Sequence, residues 1–280
     1  MRFVILDVFT DRPLAGNQLA VVMDAEGLAE ALLQPIAAEF GFSETVFVYP
    51  PTRPDADARG RIFTPRAEIS FAGHATLGTA VALGLERGIE RVALELAVGI
   101  VPVELDGLAG WMSQPLPTAW PFPRPERLFE ALGVAGSRLP VEVYDTGDPH
   151  VHVVVESVAQ VLALEPDMRA LVCLSVEVPH VDWSCCAGEG GNWTTRVFAP
   201  DDGIPEDAAT GSAAGPLAWH LVRHGVVAPG TELRISQGTA IGRPSTILAR
   251  ALGAGDVPER IEVGGSAVVV ADGHLRLPAG

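Results

Sequence analysis

Two stretches of this chain have the makings of an anion trap. RIFTP (Arg61 to Pro65) runs toward FAGHATLGTA (Phe71 to Ala80), and RVFAP (Arg196 to Pro200) runs toward EDAATGSAAGPLA (Glu206 to Ala218). In both, a strand and a short loop lead into a helix opening built from Gly, Ala, Ser and Thr. Such small residues leave the first backbone N–H groups bare at the positive end of the helix dipole. Two of these openings facing each other would hold a carboxylate, each contributing about 0.3 to 2 kcal/mol.

Other residue types narrow the chemistry. The chain has no lysine, all 19 of its basic residues being arginine. That removes a pyridoxal phosphate Schiff base and a Walker-type phosphate loop. No G-x-G-x-x-G follows a strand-like run, which argues against a Rossmann dinucleotide site, so no organic cofactor is expected. His150 and His152 alternate by two on a strand, and His220 and His224 are four apart on a helix. Neither pair has a carboxylate or cysteine at motif spacing, so both read as surface or packing features and no metal is expected. Cys173, Cys185 and Cys186 fit neither a disulfide framework nor a zinc knuckle and read as reduced thiols. Arg243 reads as structural, and GEGGN (Gly188 to Asn192) as a flexible turn.

The elements that must position these groups follow from hydrophobic period. Arg2 to Phe9, Gln18 to Met23, Glu44 to Tyr49 and Arg61 to Thr64 read as strands. Leu28 to Phe40 has an apolar helical face interrupted by Pro35, which should kink it, and His74 to Leu85 is an apolar helix ended near Gly88. Five of the eleven residues from Pro115 to Pro125 are proline, a composition that reads as a domain linker. Beyond it lie strands near Val141 to Tyr144 and Val151 to Val155, a short helix near Ser157 to Leu164, a repeat strand and the helix Gly211 to His224. Three further strands fill the tail. The 135-position spacing of the repeats is too long for a solenoid and suits two homologous halves walling a cleft.

At 280 residues the chain has room for two such halves. A formal charge of −16 and a pI near 4.7 argue against nucleic acid or an anionic membrane as partner, and favour a small molecule. No basic-plus-apolar leader precedes the first strand and no run reaches membrane-spanning length, so a cytoplasmic protein is expected.

Taken together, DVFTDRPLAGNQLAVV (Asp7 to Val22), SETVFV (Ser43 to Val48), the two repeat blocks and QGTAIGRPS (Gln237 to Ser245) resemble the PhzF family. These are the phenazine-biosynthesis isomerases and their relatives, with a diaminopimelate epimerase fold. The resemblance implies an α+β protein of two pseudo-symmetric epimerase-like domains, each a curled, mostly antiparallel sheet around a central helix. Residues 1–117 would form the N-terminal half, with the C-terminal strand 265–280 a candidate to complete it, and 126–264 the second half.

It also implies roles. Glu44 matches the glutamate that moves a proton on and off substrate carbon, although such a residue alone in a strand is usually a surface charge. A glutamate in water titrates near 4.3, so bringing it toward neutrality needs a shift worth roughly 3 to 4 kcal/mol, which desolvation between closing halves would supply. His74 matches a residue beside the substrate. Asp207 is either a helix cap or a catalytic group, or both. Gly73, Gly211 and Ser212 match the carboxylate-binding positions. The expected activity is a cofactor-independent isomerase acting on a small anionic metabolite, working as a homodimer by family habit. Epimerase relatives use one cysteine per repeat as acid and base, and neither repeat has one here. Open alternatives are an epimerase or racemase without cysteines and a non-catalytic metabolite-binding protein. Gln18, Ala75 and Ala209 depart from the family pattern and leave the substrate open.

Overall fold

The computed structural model describes residues 1–253 and 257–277; the end of the 265–280 segment, 278–280, lies outside the described residues, as does 254–256. In chain order the elements are β1 (Arg2–Val8), β2 (Asn17–Val22), α1 (Glu30–Phe40), β3 (Glu44–Tyr49), β4 (Ala58–Phe63), β5 (Glu68–Ile69), α2 (Gly73–Arg87), β6 (Arg91–Leu96), β7 (Gly99–Asp106), β8 (Ala109–Gln114) and β9 (Thr118–Pro121). There follow α3 (Pro125–Leu132), β10 (Glu142–Asp145), β11 (Pro149–Val154), α4 (Val158–Leu162), α5 (Met168–Leu174), β12 (Asp182–Glu189), β13 (Asn192–Ala199), β14 (Ile204–Asp207), α6 (Gly211–Arg223), β15 (Leu233–Gln237), β16 (Ser245–Leu252) and β17 (Arg260–His274). The architecture is a mixed sheet with few helices.

Strand pairing repeats along the chain. β2 and β3 run parallel, β3 and β4 antiparallel, and β4 pairs antiparallel with β5 and parallel with β6. β11, β12, β13, β14 and β15 repeat these directions in the same order, with α6 standing where α2 stood. β17 is the seam. Its first half pairs with β16 and β8 and its second half with β1, so β1, β2, β3, β4, β6, β7, β8 and β17 close into a cycle.

Burial follows the pattern that each element's chemistry dictates. β6 alternates, with Val92, Leu94 and Leu96 inward, and β16 does the same with Ile247, Ala249 and Ala251. α2 is instead buried on every side from Gly73 to Gly84 and packs against β1, β2, β3, β6, β7, β8 and β17. A helix hydrophobic all round belongs inside. α6 is buried from Gly211 to Leu221 and packs on β11, β16 and β17. The largest apolar cluster includes residues of both helices, from Leu6 and Leu77 to Trp219 and Ala267.

Several elements depart from expectation. The proline-rich segment is not a structureless linker: Thr118–Pro121 forms β9 against β10, and Pro125 opens α3. A strand paired on one side tolerates proline because its outer N–H groups have no partner to lose, and the first turn of a helix needs no N–H. α1 starts at Glu30 and runs through Pro35 to a left-handed Gly41. GEGGN is the hairpin turn between β12 and β13, with Glu189 opposite Asn192.

The openings of α2 and α6 abut backbone to backbone. A Cβ added at Gly73 would lie 2.5 Å from both the Gly211 carbonyl carbon and the Ser212 nitrogen. Because backbone atoms cannot swing aside, Gly73→Ala is expected to lose about 1 to 3 kcal/mol of unfolding free energy in denaturant titration despite alanine's better helix propensity. Unchanged stability would show that the two openings separate freely.

Candidate active site

Glu44 is the first residue of β3, and β3 lies beside β2 with Glu44 opposite Leu19. That register turns the carboxylate inward, where it is 8 % exposed. His74 is the second residue of α2 and is 3 % exposed. Their Oε2 and Nε2 atoms are 3.0 Å apart. Neither atom has another partner. Both therefore face the cavity with bonding capacity unspent.

Asp207 closes β14 just before α6 and is also buried. Every hydrogen bond its carboxylate makes is accepted: from Asn17 Nδ2 at 2.8 Å, Ser43 Oγ at 2.8 Å and Thr210 Oγ1 at 2.6 Å. It does not cap α6, since no side chain caps that helix, and the same is true of α2. Asn17 Nδ2 also reaches the Ala209 carbonyl and comes within 3.4 Å of His74 Nδ1. Gln237 ties the turn together from behind, donating to the Asp207 carbonyl and accepting from the Thr210 amide. Asp207 thus acts on His74 through Asn17. Ser212 lines the same cavity, while Gly73 and Gly211 bring the two uncapped openings together beside it.

The cavity walls include Glu44, His74, Asp207, Thr210 and Ser212, together with Asp148, Asp182 and Asp202. The space left between them is that of about one water molecule. Arg66, just after the first repeat strand, donates to the Asp201 carbonyl at 2.7 Å, just after the second. A wider groove elsewhere, lined by Arg12, Arg234 and several hydroxyl residues, contains no buried acid–base pair.

The remaining candidates resolve as structure. Arg243 binds Asp7 and the carbonyls of Ala15 and Gly16. Cys185 and Cys186 are buried free thiols, Cys185 pushed up to about 12 by burial. The histidine pairs are not surface features: His150, His152 and His220 are fully buried. The carboxylate that sequence spacing lacked is supplied by β10, where Glu142 contacts His224 Nε2 at 2.7 Å and Tyr144 donates to it at 2.8 Å. Together Glu142, His220 and His224 place donor atoms within 4.8 Å of one another, but this is a hydrogen-bonded packing cluster away from the cavity.

Asn17, Ser43, Gln237, Asp148, Asp182 and Asp202 were not singled out from sequence. The first three sit inside the quoted motifs. Asp202 lies within the second repeat block, between RVFAP and EDAATGS, whereas Asp148 and Asp182 have no motif, and Asp182 reaches the cavity only because β11 and β12 pair parallel with His150 opposite Asp182.

Burial pushes the Glu44 carboxyl above its ordinary range, with His74 pulling the other way. For His74, burial is the largest influence and lowers basicity, but the charge and hydrogen bond of Glu44, the charge of Asp207 and the backbone at Gln18 together outweigh it, and the ring is held above its ordinary value. The pair is poised to share a proton. A folded-state value raised above the unfolded one favours the fold at low pH, and that contribution fades as pH rises through the folded value. Removing the imidazole should lift Glu44 further. In ¹³C NMR, the Glu44 carboxyl of His74→Gln is expected to titrate at higher pH than in the wild type, and a downward move would contradict the coupling.

A family model described as phenazine biosynthesis-like protein, PhzC-PhzF, matches residues 6–273. The chain is 47 % identical over 281 residues to a trans-2,3-dihydro-3-hydroxyanthranilate isomerase of Pseudomonas aeruginosa, covering 99 % of each chain. It is 44 % identical to the protein of that name from Pseudomonas chlororaphis, covering 98 % of this chain and 99 % of the relative. Among solved structures it is similar to a PhzF-family protein of Bacillus anthracis, with a TM-score of 0.85, 27 % identity and 99 % of each chain covered. A hydroxyproline epimerase from Agrobacterium vitis shares the fold, with a TM-score of 0.70 at 15 % identity and 98 % and 91 % of the two chains covered.

Proposed function

Because the chain belongs to the phenazine biosynthesis-like PhzC-PhzF family and is an isomerase, we propose that it moves a proton between carbons of a small carboxylate-bearing metabolite, with Glu44 as general base and then general acid. The substrate proposed is trans-2,3-dihydro-3-hydroxyanthranilate, on the strength of the Pseudomonas relatives. The observation that carries this reading is the unpartnered Glu44 Oε2, held dry 3.0 Å from an unpartnered His74 Nε2 beside two uncapped helix openings.

The step balances within one molecule. The substrate carboxylate takes the free amides at Gly73, Gly211 and Ser212. Glu44 as carboxylate accepts a proton from a ring carbon, and the electron pair of the C–H bond stays on the conjugated substrate as an anion. His74 faces that anion, and Asp207 with Asn17 keeps the imidazole in place. Glu44 then returns the proton to a different carbon, leaving product of the same composition. General acid–base catalysis supplies about 10² to 10⁴ in rate, so stabilisation of the anion by the helix openings and His74 supplies the larger share. No organic cofactor is needed in this scheme. The repeated strand pattern supports two similar halves, residues 1–117 with the C-terminal strand and 126–264, each a curled sheet around its long helix and together enclosing the site.

Turnover of trans-2,3-dihydro-3-hydroxyanthranilate in D₂O should place deuterium in the product. Glu44→Gln should cut turnover by at least about 100-fold and abolish incorporation while the circular dichroism spectrum is unchanged. Full deuterium incorporation by Glu44→Gln would refute the role of Glu44.

A further inference from the structure

The wider groove that contains Arg12 and Arg234 serves no step of the proton transfer. Its cavity volume is about 430 Å³, within the range of about 300 to 1,000 Å³ typical of small-molecule sites. One wall is the outward face of β15 and β16. Burial alternates along β15, so Leu233, Ile235 and Gln237 point inward while Arg234 and Ser236 point out. Register sets Arg234 opposite Leu248 and Ser236 opposite Thr246. The other wall is the start of the loop between β1 and β2, from Phe9 to Arg12. It is fastened to the sheet by the Thr246 amide, which donates to the Phe9 carbonyl at 2.8 Å, and by the Thr10 amide, which donates to the Ser266 carbonyl at 3.2 Å.

The groove holds unspent donors. Arg61, Arg196, Arg243 and Arg250 each lie on a carboxylate. Among the described residues, by contrast, the guanidinium groups of Arg12 and Arg234 have no hydrogen-bond or ion-pair partner, and the hydroxyls of Ser236, Thr239, Thr246 and Ser266 have none either. Asp11 is the one acid among the lining residues. The loop that presents Arg12 is also strained, with Phe9 and Leu14 at φ of 61° and 65°. Non-glycine residues keep such angles only where their surroundings over-determine them, and they gather at ligand sites. Here Asp7 accepts from the Leu14 amide at 2.6 Å and from Arg243, which also binds the Ala15 and Gly16 carbonyls, and Thr10 Oγ1 accepts from the Arg12 amide. A donor carried on a loop held this firmly is positioned before any ligand arrives.

We propose that this groove is a second ligand site, separate from the catalytic cavity, and that it binds the phosphate group of a small molecule. A phosphate monoester carries a charge of about −1.5 to −2 at pH 7 and three strong acceptor oxygens. That matches two free guanidinium groups flanked by four free hydroxyls. A carboxylate brings one charge and two oxygens, and would leave much of this donor set idle. The formal charge of −16 on the whole chain repels a long polyanion, so the ligand is small.

Calorimetric titration of the full chain at pH 7 with inorganic phosphate, with phenyl phosphate and with benzoate tests the assignment. The wild type should bind a phosphate probe at least about tenfold more tightly than benzoate, and Arg12→Gln and Arg234→Gln should each weaken phosphate binding at least about tenfold, as loss of a charge-assisted contact does. Both side chains are exposed, so both variants should fold and keep wild-type isomerase turnover in phosphate-free buffer; if one misfolds, the other carries the test. In ¹H–¹⁵N NMR spectra, phosphate should shift the amides of Thr10, Ser236 and Thr246. Tighter binding of phenyl phosphate than of inorganic phosphate identifies an organic ester as the ligand, and equal binding identifies free phosphate; either upholds the site. Absence of phosphate binding overturns the proposal, as do wild-type affinity in both variants, a preference for benzoate, and shifts confined to Gly73, Gly211 and Ser212, which would place the phosphate at the helix openings instead.

Discussion

The structure turns on a contact that has no side chains in it. Two helices meet start to start, and the contact between Gly73 and Gly211 is so close that a single methyl group would collide with backbone. Nothing else places two sets of unused amides at one point. Because neither helix is capped by a side chain, the positive ends of both dipoles remain available to a ligand. The nearly all-buried character of α2 and α6 follows from the same constraint, since helices that must meet at their tips in the interior have to be sheathed by sheet along their lengths.

That junction also sets the electrostatics around it. With amides attracting negative charge at one side, a carboxylate at Glu44 and an imidazole at His74 can coexist in a space that excludes water, Glu44 raising the proton affinity of His74 and His74 lowering that of Glu44. The hydrogen-bond frame of Asn17, Ser43, Thr210 and Gln237 around Asp207 holds the ring without spending its Nε2.

How much of this was legible beforehand depends on range. The helix openings could be read because small residues after a strand are a local signal, and the strands β1 to β4 because alternation of apolar residues is local too. β9 and α3 were hidden by proline, whose usual meaning as a breaker reverses at a sheet edge and in a first helical turn. Glu44, His74 and Asp207 stood out only through resemblance to a family, since a single glutamate on a strand has no spacing to distinguish it. Asp148 and Asp182, separated by 34 positions and by two helices, carried no signal at all, and neither did the Glu142 partner of His220 and His224.

By itself the sequence determined which residues were small enough to bare an amide, that no lysine was present to form a Schiff base, and that the stretches beginning at Arg61 and Arg196 read alike. Only the tertiary structure decided which acids share one space, because that depends on a parallel register between β11 and β12 and on β17 bridging the strands of both repeats. The reason is physical. Helix openings and strand periods arise from neighbours within a few residues, whereas desolvation and charge crowding are properties of a cavity assembled from segments far apart in the chain.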